Sequence, residues 1–318
     1  MELKRNPLTT GIGICLVAAF CNLLWGSAYP CIKLGYQWFQ IPGDQTFSQI
    51  LFAGIRFFLA GILAILFGSL VSRKFLVPKK SSWPMILKLS AFQTVIQYFF
   101  FYVGLANTSG VKASIIAASN VFMSLLVSCL VFRLERFTSG KIIGCLIGFS
   151  GVILVNLNGS GFDPSMKWTG EGAIVLSTVS YAVSTVLIKR YSNYENPVLL
   201  SGYQFAAGGL IMIAIGLAGG GQIHPLSSSS YFILVYLALL SAAAYSLWGI
   251  LLQLNPVSKV SVYGFLNPVF GVALSALLLN EGTEALGWQA AVALLLVCSG
   301  IWAVNHQWGK SLNQSHPS

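Results

Sequence analysis

Acidic residues are scarce in this chain: only 8 of its 318 residues are Asp or Glu, against 18 Lys and Arg. Glu2, Asp44, Glu135, Asp163, Glu171, Glu195, Glu281 and Glu284 all lie between apolar runs or at their ends, and His224, His306 and His316 are equally peripheral. Proton relays at membrane depth and acid–base catalysis draw on Asp, Glu and His. The sequence therefore offers no carboxylate-driven proton path and no catalytic residues, so an enzyme is not expected. Six cysteines fall within apolar runs and none forms a CxxC pair, so they read as small packing residues. No metal cluster and no cofactor motif is readable. Charged residues make up 8% of the chain, where a soluble domain carries about 25%. The net charge of +10 does not point to nucleic acid, because the basic residues sit in short clusters between apolar runs.

What the chain has instead is apolar length. Hydrophobic residues make up 56% of it. A membrane-spanning helix needs roughly 20 apolar residues, and ten segments qualify: 11–33, 48–70, 84–106, 111–132, 139–157, 169–188, 197–218, 231–253, 258–279 and 286–305. Their length, without strict alternation, predicts helices and not barrel strands. The first run is too long for a signal-peptide core and is expected to be a retained helix. With the N-terminus inside, fourteen Lys and Arg fall on the cytoplasmic side and three (Lys33, Lys112 and Lys167) outside, while Arg56 lies within a span. That bias predicts both termini in the cytoplasm. Trp83, Trp168, Tyr231 and Trp288 read as interface belt residues.

The runs repeat. Gly54 to Gly61 matches Gly202 to Gly209, Thr94 and Tyr98 match Ser241 and Tyr245, Asn120 matches Asn267, and Ser150 to Asn156 matches Ser299 to Asn305. In the first run Asn22, Trp25, Tyr29 and Lys33 share a helical face, as Thr178, Tyr181, Thr185 and Lys189 do 156 residues later. Each half, 1–157 and 158–318, then holds five helices. Five is odd, so the second half crosses the membrane upside down. The expected fold is an all-α integral membrane protein of ten transmembrane helices in two inverted five-helix repeats, an arrangement common in secondary transporters.

Polar side chains at membrane depth face a bundle interior or a wet cavity. The candidate cavity residues are Asn22, Trp25, Tyr29, Arg56, Gln97, Tyr98, Asn120, Tyr181, Gln204, Tyr245, Trp248 and Asn267. Arg56 has two readings: an anion-attracting group in the pathway, or a structural arginine bonded to backbone carbonyls. Pro30 and Pro268 are candidate gating hinges, expected to interrupt their helices. The fourth helix has no proline after Asn120 and is expected to be straighter. Gly144 and Gly148 form a GxxxG suited to close contact within the bundle, and a monomer or weak homodimer is expected.

Trp25-Gly26-Ser27, Arg56-Phe57, Glu135 and Glu281 just past the fourth and ninth helices, Asn267-Pro268, and the Ser-Gly-Val/Ile of the fifth and tenth helices together resemble the EamA-type permeases of the drug/metabolite transporter superfamily. The likeness covers residues 8–306. That family's pattern often has a proline in the fourth helix where this chain has Asn120. The resemblance implies a permease in the plasma (inner) membrane that carries amino acids or related small metabolites through a central cavity by alternating access. Its partners would be a small-molecule substrate and the lipid bilayer. An exporter of lipophilic drugs and a nucleotide-sugar or phosphate carrier share the fold. One deep arginine is fewer than a phosphate carrier would be expected to show. A receptor or scaffold is the alternative of another class, but the longest outer loop, about 157–168, is bland.

Overall fold

The computed structural model describes residues 6–134, 136, 138–156, 167–279 and 288–306. Among these residues the chain is helical throughout, with no strand. The elements are α1 (Gly11–Trp38), α2 (Thr46–Ser72), α3 (Lys80–Ala106), α4 (Gly110–Ala117), α5 (Asn120–Val131) and α6 (Ser139–Asn156). They continue with α7 (Trp168–Tyr191), α8 (Pro197–Ala218), α9 (Ser230–Leu254), α10 (Val257–Leu279) and α11 (Trp288–His306). Among the described residues, seven (α1, α2, α3, α7, α8, α9 and α10) are long and apolar enough to cross a membrane. The shorter α5 and the Ala291–Gly300 part of α11 are apolar as well. Glu135, Glu281, the Lys4-Arg5 pair, Lys310 and nearly all of the 157–168 loop lie outside the described residues.

Local chemistry sets the helix ends. The Thr10 hydroxyl accepts from the Gly13 amide at 3.1 Å and starts α1. The Asn196 side chain accepts from the Val198 and Leu199 amides at 2.8 and 3.3 Å, with Pro197 in the first helical position of α8. Arg73 closes α2 in the left-handed region, φ 51°.

The helices carry their polarity inside out. On α1, Ile12, Leu16, Phe20 and Leu23 are exposed, while Asn22 is fully buried. This suits a chain whose outer solvent is lipid and whose interior holds the hydrogen-bonding groups. The three tryptophans and one tyrosine assigned to the belt, Trp83, Trp168, Trp288 and Tyr231, are all exposed.

Helices α2 and α8 run antiparallel in backbone contact. Gly54, Gly61 and Gly68 recur every seventh residue on α2, and Gly202, Gly209 and Gly216 do the same on α8. A Cβ at Gly54 would lie 2.6 Å from the Ile213 nitrogen, and one at Gly216 would lie 2.8 Å from that of Leu51. A Cβ at Gly61 would press on the Ala206 nitrogen, and one at Gly209 on that of Phe58. Small residues let helix backbones approach in a bilayer, where no hydrophobic effect drives helices together. Along the edge, α6 and α11 form a second close pair, in which a Cβ at Gly300 would lie 2.5 Å from the Gly144 carbonyl.

Three expectations about breaks are corrected. The fourth apolar run is not straight: Ala118 and Ser119 form a turn between α4 and α5, spanned by tighter bonds from the Ser119 nitrogen to the Ile116 oxygen (3.0 Å) and from the Val121 nitrogen to the Ala118 oxygen (3.3 Å). No proline is needed, because switching to bonds one residue shorter opens the ladder. Pro30 does not interrupt α1, which continues from Gly11 to Trp38. The proline removes one bond to the Gly26 carbonyl, while the packing of α9 and α10 on α1 holds the helix on both sides. The irregularity in α10 precedes Pro268. A 3₁₀ stretch spans Val262–Phe265, and Pro268 falls in the first turn of the α-helix that begins at Leu266, where a missing amide is tolerated. A π-helical stretch, Ser90–Ile96, also widens α3.

Gly61→Ala should lower the melting temperature of the detergent-purified protein, consistent with overpacking of about 1–3 kcal/mol. Gly61→Leu should prevent recovery of folded protein. Gly11→Ala should be neutral, because a Cβ there meets nothing within 4 Å.

Candidate functional site

Eleven of the twelve candidate residues converge on one cavity. From α1 come Asn22, Trp25 and Tyr29, from α2 Arg56, and from α3 Gln97 and Tyr98. Asn120 of α5, Tyr181 of α7, Tyr245 and Trp248 of α9, and Asn267 of α10 complete the set. The cavity measures about 70 Å³, room for roughly five waters when each needs about 10–15 Å³. A substrate of several heavy atoms fits only if the lining side chains move outward.

Trp25 is the hub. Its ring meets Tyr245 at 5.1 Å, Trp248 at 5.0 Å and Tyr181 at 6.5 Å, all edge to face. Such pairs are worth about 0.5–1.5 kcal/mol beyond burial. The Tyr98 and Tyr245 hydroxyls bond each other, joining α3 to α9. Tyr29 packs on Phe101 at 5.7 Å.

Several polar atoms here have no protein partner: Trp25 Nε1, Trp248 Nε1, Asn22 Oδ1, Gln97 Oε1 and Asn267 Oδ1. Asn22 Nδ2 donates to the Ala18 carbonyl at 2.7 Å, which turns its oxygen the other way. An unsatisfied buried group costs about 1–3 kcal/mol in a dry core. Five of them around one cavity form two donors and three acceptors suited to water or a bound polar molecule.

Arg56 is the one charged side chain among the cavity-lining residues, and it is 1% exposed. Its Nε donates to the Leu237 carbonyl at 3.2 Å, one terminal nitrogen to the Tyr102 hydroxyl at 2.6 Å, and the other to Ser241 Oγ at 2.9 Å. It also lies over the Phe57 ring at 4.9 Å. Five N–H groups on the guanidinium leave donors beyond these three bonds. The two readings of Arg56 are therefore compatible: the residue is held structurally and also reaches the cavity. Tyr102 and Ser241, which hold it, lie among the polar residues of α3 and α9. Their signal was spacing, since each lies four residues from a cavity tyrosine, Tyr98 or Tyr245.

Gln204 is not at the cavity. It is fully buried between α8 and α3, accepting from Thr94 Oγ1 at 2.5 Å and donating to Gln93 Oε1 at 3.1 Å, while Ser90 Oγ bonds its carbonyl at 2.9 Å. The widened turn of α3 presents three polar side chains to it and consumes its amide.

The ends of the two polar stripes also leave the cavity. Lys33 Nζ donates to the Thr108 carbonyl at 2.8 Å, just past the end of α3. Lys189 Nζ donates to the Leu252 and Asn255 carbonyls at 2.8 and 2.9 Å, at the end of α9. Lys189 thereby bonds the last carbonyls of α9, as a cation at a helix C-terminus does. Thr185 donates back to the Tyr181 carbonyl at 3.0 Å. Thr178, together with Ser261 and Gly264 from the irregular start of α10, joins the lining instead.

The EamA-like transporter family matches residues 9–157 and 168–305. An uncharacterised transporter of Synechocystis is 27% identical across 96% of this chain and 93% of its own length. YedA, an uncharacterised inner membrane transporter of Escherichia coli, is 26% identical across 87% of this chain and 88% of its own. A solved crystal structure aligns with a TM-score of 0.67 at 19% identity, over 96% of this chain and all of that one, a likeness of fold. Membrane-length helices around a polar central cavity, with these relatives, define a multi-pass membrane transporter. The chain belongs to the EamA-like transporter family.

Gln204→Leu should strand Thr94 and Gln93, lowering stability by about 1–3 kcal/mol while leaving the affinity for transported solute unchanged. Thermal unfolding in detergent, with and without solute, separates the two effects.

Proposed function

We propose that this protein is a facilitative or exchanging carrier of small metabolites, best fitted to amino acids or their derivatives, in the plasma (inner) membrane. The observation that carries the reading is the mixture of groups at the cavity. One cation, Arg56, shares it with unpaired amide oxygens on Asn22, Gln97 and Asn267 and with the aromatic faces of Trp25, Tyr181, Tyr245 and Trp248. A carboxylate suits the arginine, an ammonium suits the amide oxygens, and an apolar side chain suits the rings. A carrier of lipophilic drugs would have little use for five unsatisfied polar atoms. A single cation makes a sparse site for a phosphorylated solute.

The carrier works by alternating access between two inverted five-helix repeats, 1–157 and 158–318. Matched elements support this architecture. The repeat partners α2 and α8 lie antiparallel, as inversion requires. Phe57 stacks on its counterpart Phe205 at 5.1 Å, and Tyr98 bonds its counterpart Tyr245. Arg56 bonds Ser241 as Gln204 bonds Thr94, and the residues of these two bonds exchange under the same repeat. Lys33 reaches the turn after α3 as Lys189 reaches the end of α9. The excess of basic residues on one side favours cytoplasmic termini. Among the described residues no Asp, Glu or His lines the cavity, which favours transport without proton coupling.

Proteoliposomes holding the purified protein and loaded with labelled leucine, phenylalanine or tryptophan test this. Saturable efflux, insensitive to an imposed pH gradient and reduced at least about tenfold (1.4 kcal/mol) by Trp25→Ala or Asn267→Ala, is expected. No flux of any of the three would refute the amino-acid reading, and gradient-driven flux would refute uncoupled transport.

A further inference from the structure

We propose that Arg56 is a substrate-operated tie that makes this carrier exchange solute faster than it moves solute in one direction. The inference rests on the reading that the cavity is the transport site, and it starts from an asymmetry between the halves. Arg56 and Gln204 occupy matched positions on α2 and α8, and each bonds a matched hydroxyl on a neighbouring helix, Ser241 and Thr94. The Gln204 tie is neutral and lies away from the cavity. The Arg56 tie is cationic and reaches it.

Three donors of Arg56 link α2 to Tyr102 on α3 and to Leu237 and Ser241 on α9. No carboxylate among the described cavity residues offsets the charge. These neutral acceptors, with the faces of the Phe57 and Tyr102 rings, therefore stabilise the buried guanidinium. Sliding α2 against α3 or α9 breaks the bonds and leaves an unpaired cation in a low-dielectric interior, which is strongly unfavourable. An empty carrier is held where it is. A substrate carboxylate reaching the cavity supplies the guanidinium with an oppositely charged partner able to take two N–H groups at once, which the neutral acceptors cannot match. The loaded carrier then loosens its ties to Tyr102 and Ser241 without stranding the charge, so reorientation is easier loaded than empty. A ligand shifts a conformational equilibrium only by its differential affinity for the two states, and the anion provides that difference. The neutral Gln204 tie gives no such dependence on substrate.

The test compares efflux of labelled phenylalanine from proteoliposomes into buffer, into unlabelled phenylalanine, and into phenethylamine, which lacks the carboxylate. Wild type should release label about tenfold faster into phenylalanine than into buffer, the effect of one charge-assisted hydrogen bond, with no acceleration by phenethylamine. Tyr102→Phe keeps the charge and removes one bond, so it should raise efflux into buffer and reduce the ratio to about threefold or less. Arg56→Gln should bring the ratio near one. Tyr102→Phe also keeps the test decisive if Arg56→Gln does not fold. Efflux equally fast into buffer and phenylalanine, acceleration by phenethylamine, or an unchanged ratio in Tyr102→Phe would each overturn the tie while leaving the amino-acid reading intact. Absence of phenylalanine flux in every arm would overturn both.

Discussion

Backbone contact between α2 and α8 is the constraint on which the rest of the structure depends. Six glycines, spaced by seven on each helix, allow an approach that any side chain would block. The spacing keeps one seam facing its partner along the whole antiparallel pair. The seam fixes what sits beside it. Phe57 and Phe205 stack there, Arg56 is directed towards Tyr102 and Ser241, and Gln204 is directed towards Thr94 and Gln93.

Around the seam, polarity is placed where it can be satisfied. The lipid-facing sides of the helices are apolar, and the interior carries asparagines, glutamines, tyrosines and one arginine. Most of these groups bond protein. Five atoms that do not, on Asn22, Trp25, Gln97, Trp248 and Asn267, lie around the cavity, beside the departures from regular helix at Ala118-Ser119 and Val262–Phe265. Irregular backbone at membrane depth is tolerated where it lines a wet site, so the breaks and the unpaired amides belong to one arrangement. The small cavity volume fits a state in which the rings around Trp25 have closed together.

Much of this was legible in the sequence. Apolar run lengths located the helices closely, since a bilayer demands them, and the facial spacing of Asn22, Trp25 and Tyr29 pointed to the cavity. Helix-face reasoning overreached at the stripe ends, because Lys33 and Lys189 are long enough to leave the face and bond carbonyls at or just past the ends of neighbouring helices. Gln204, the repeat partner of Arg56, was expected at the cavity without sharing the charge of the arginine. A π-helical turn in α3, which no residue pattern announced, gave Gln204 three polar neighbours instead. The break before Asn120 carries no proline, and a change to shorter hydrogen bonds leaves no mark in the sequence. The glycines of α2 and α8 were visible as a repeat. Their contact was not, since sequence does not show which helices meet.

Inverted halves place matched positions on opposite sides of the membrane, and one labelling measurement tests this directly. Asn107, after α3, and Leu254, at the end of α9, are counterparts in the proposed repeat and both are exposed. In a cysteine-free background carrying one cysteine at either position, a membrane-impermeant maleimide is added to intact cells. Inversion predicts that Asn107→Cys labels from outside, and that Leu254→Cys labels only after the membrane is permeabilised. Labelling of both from the same side would contradict it.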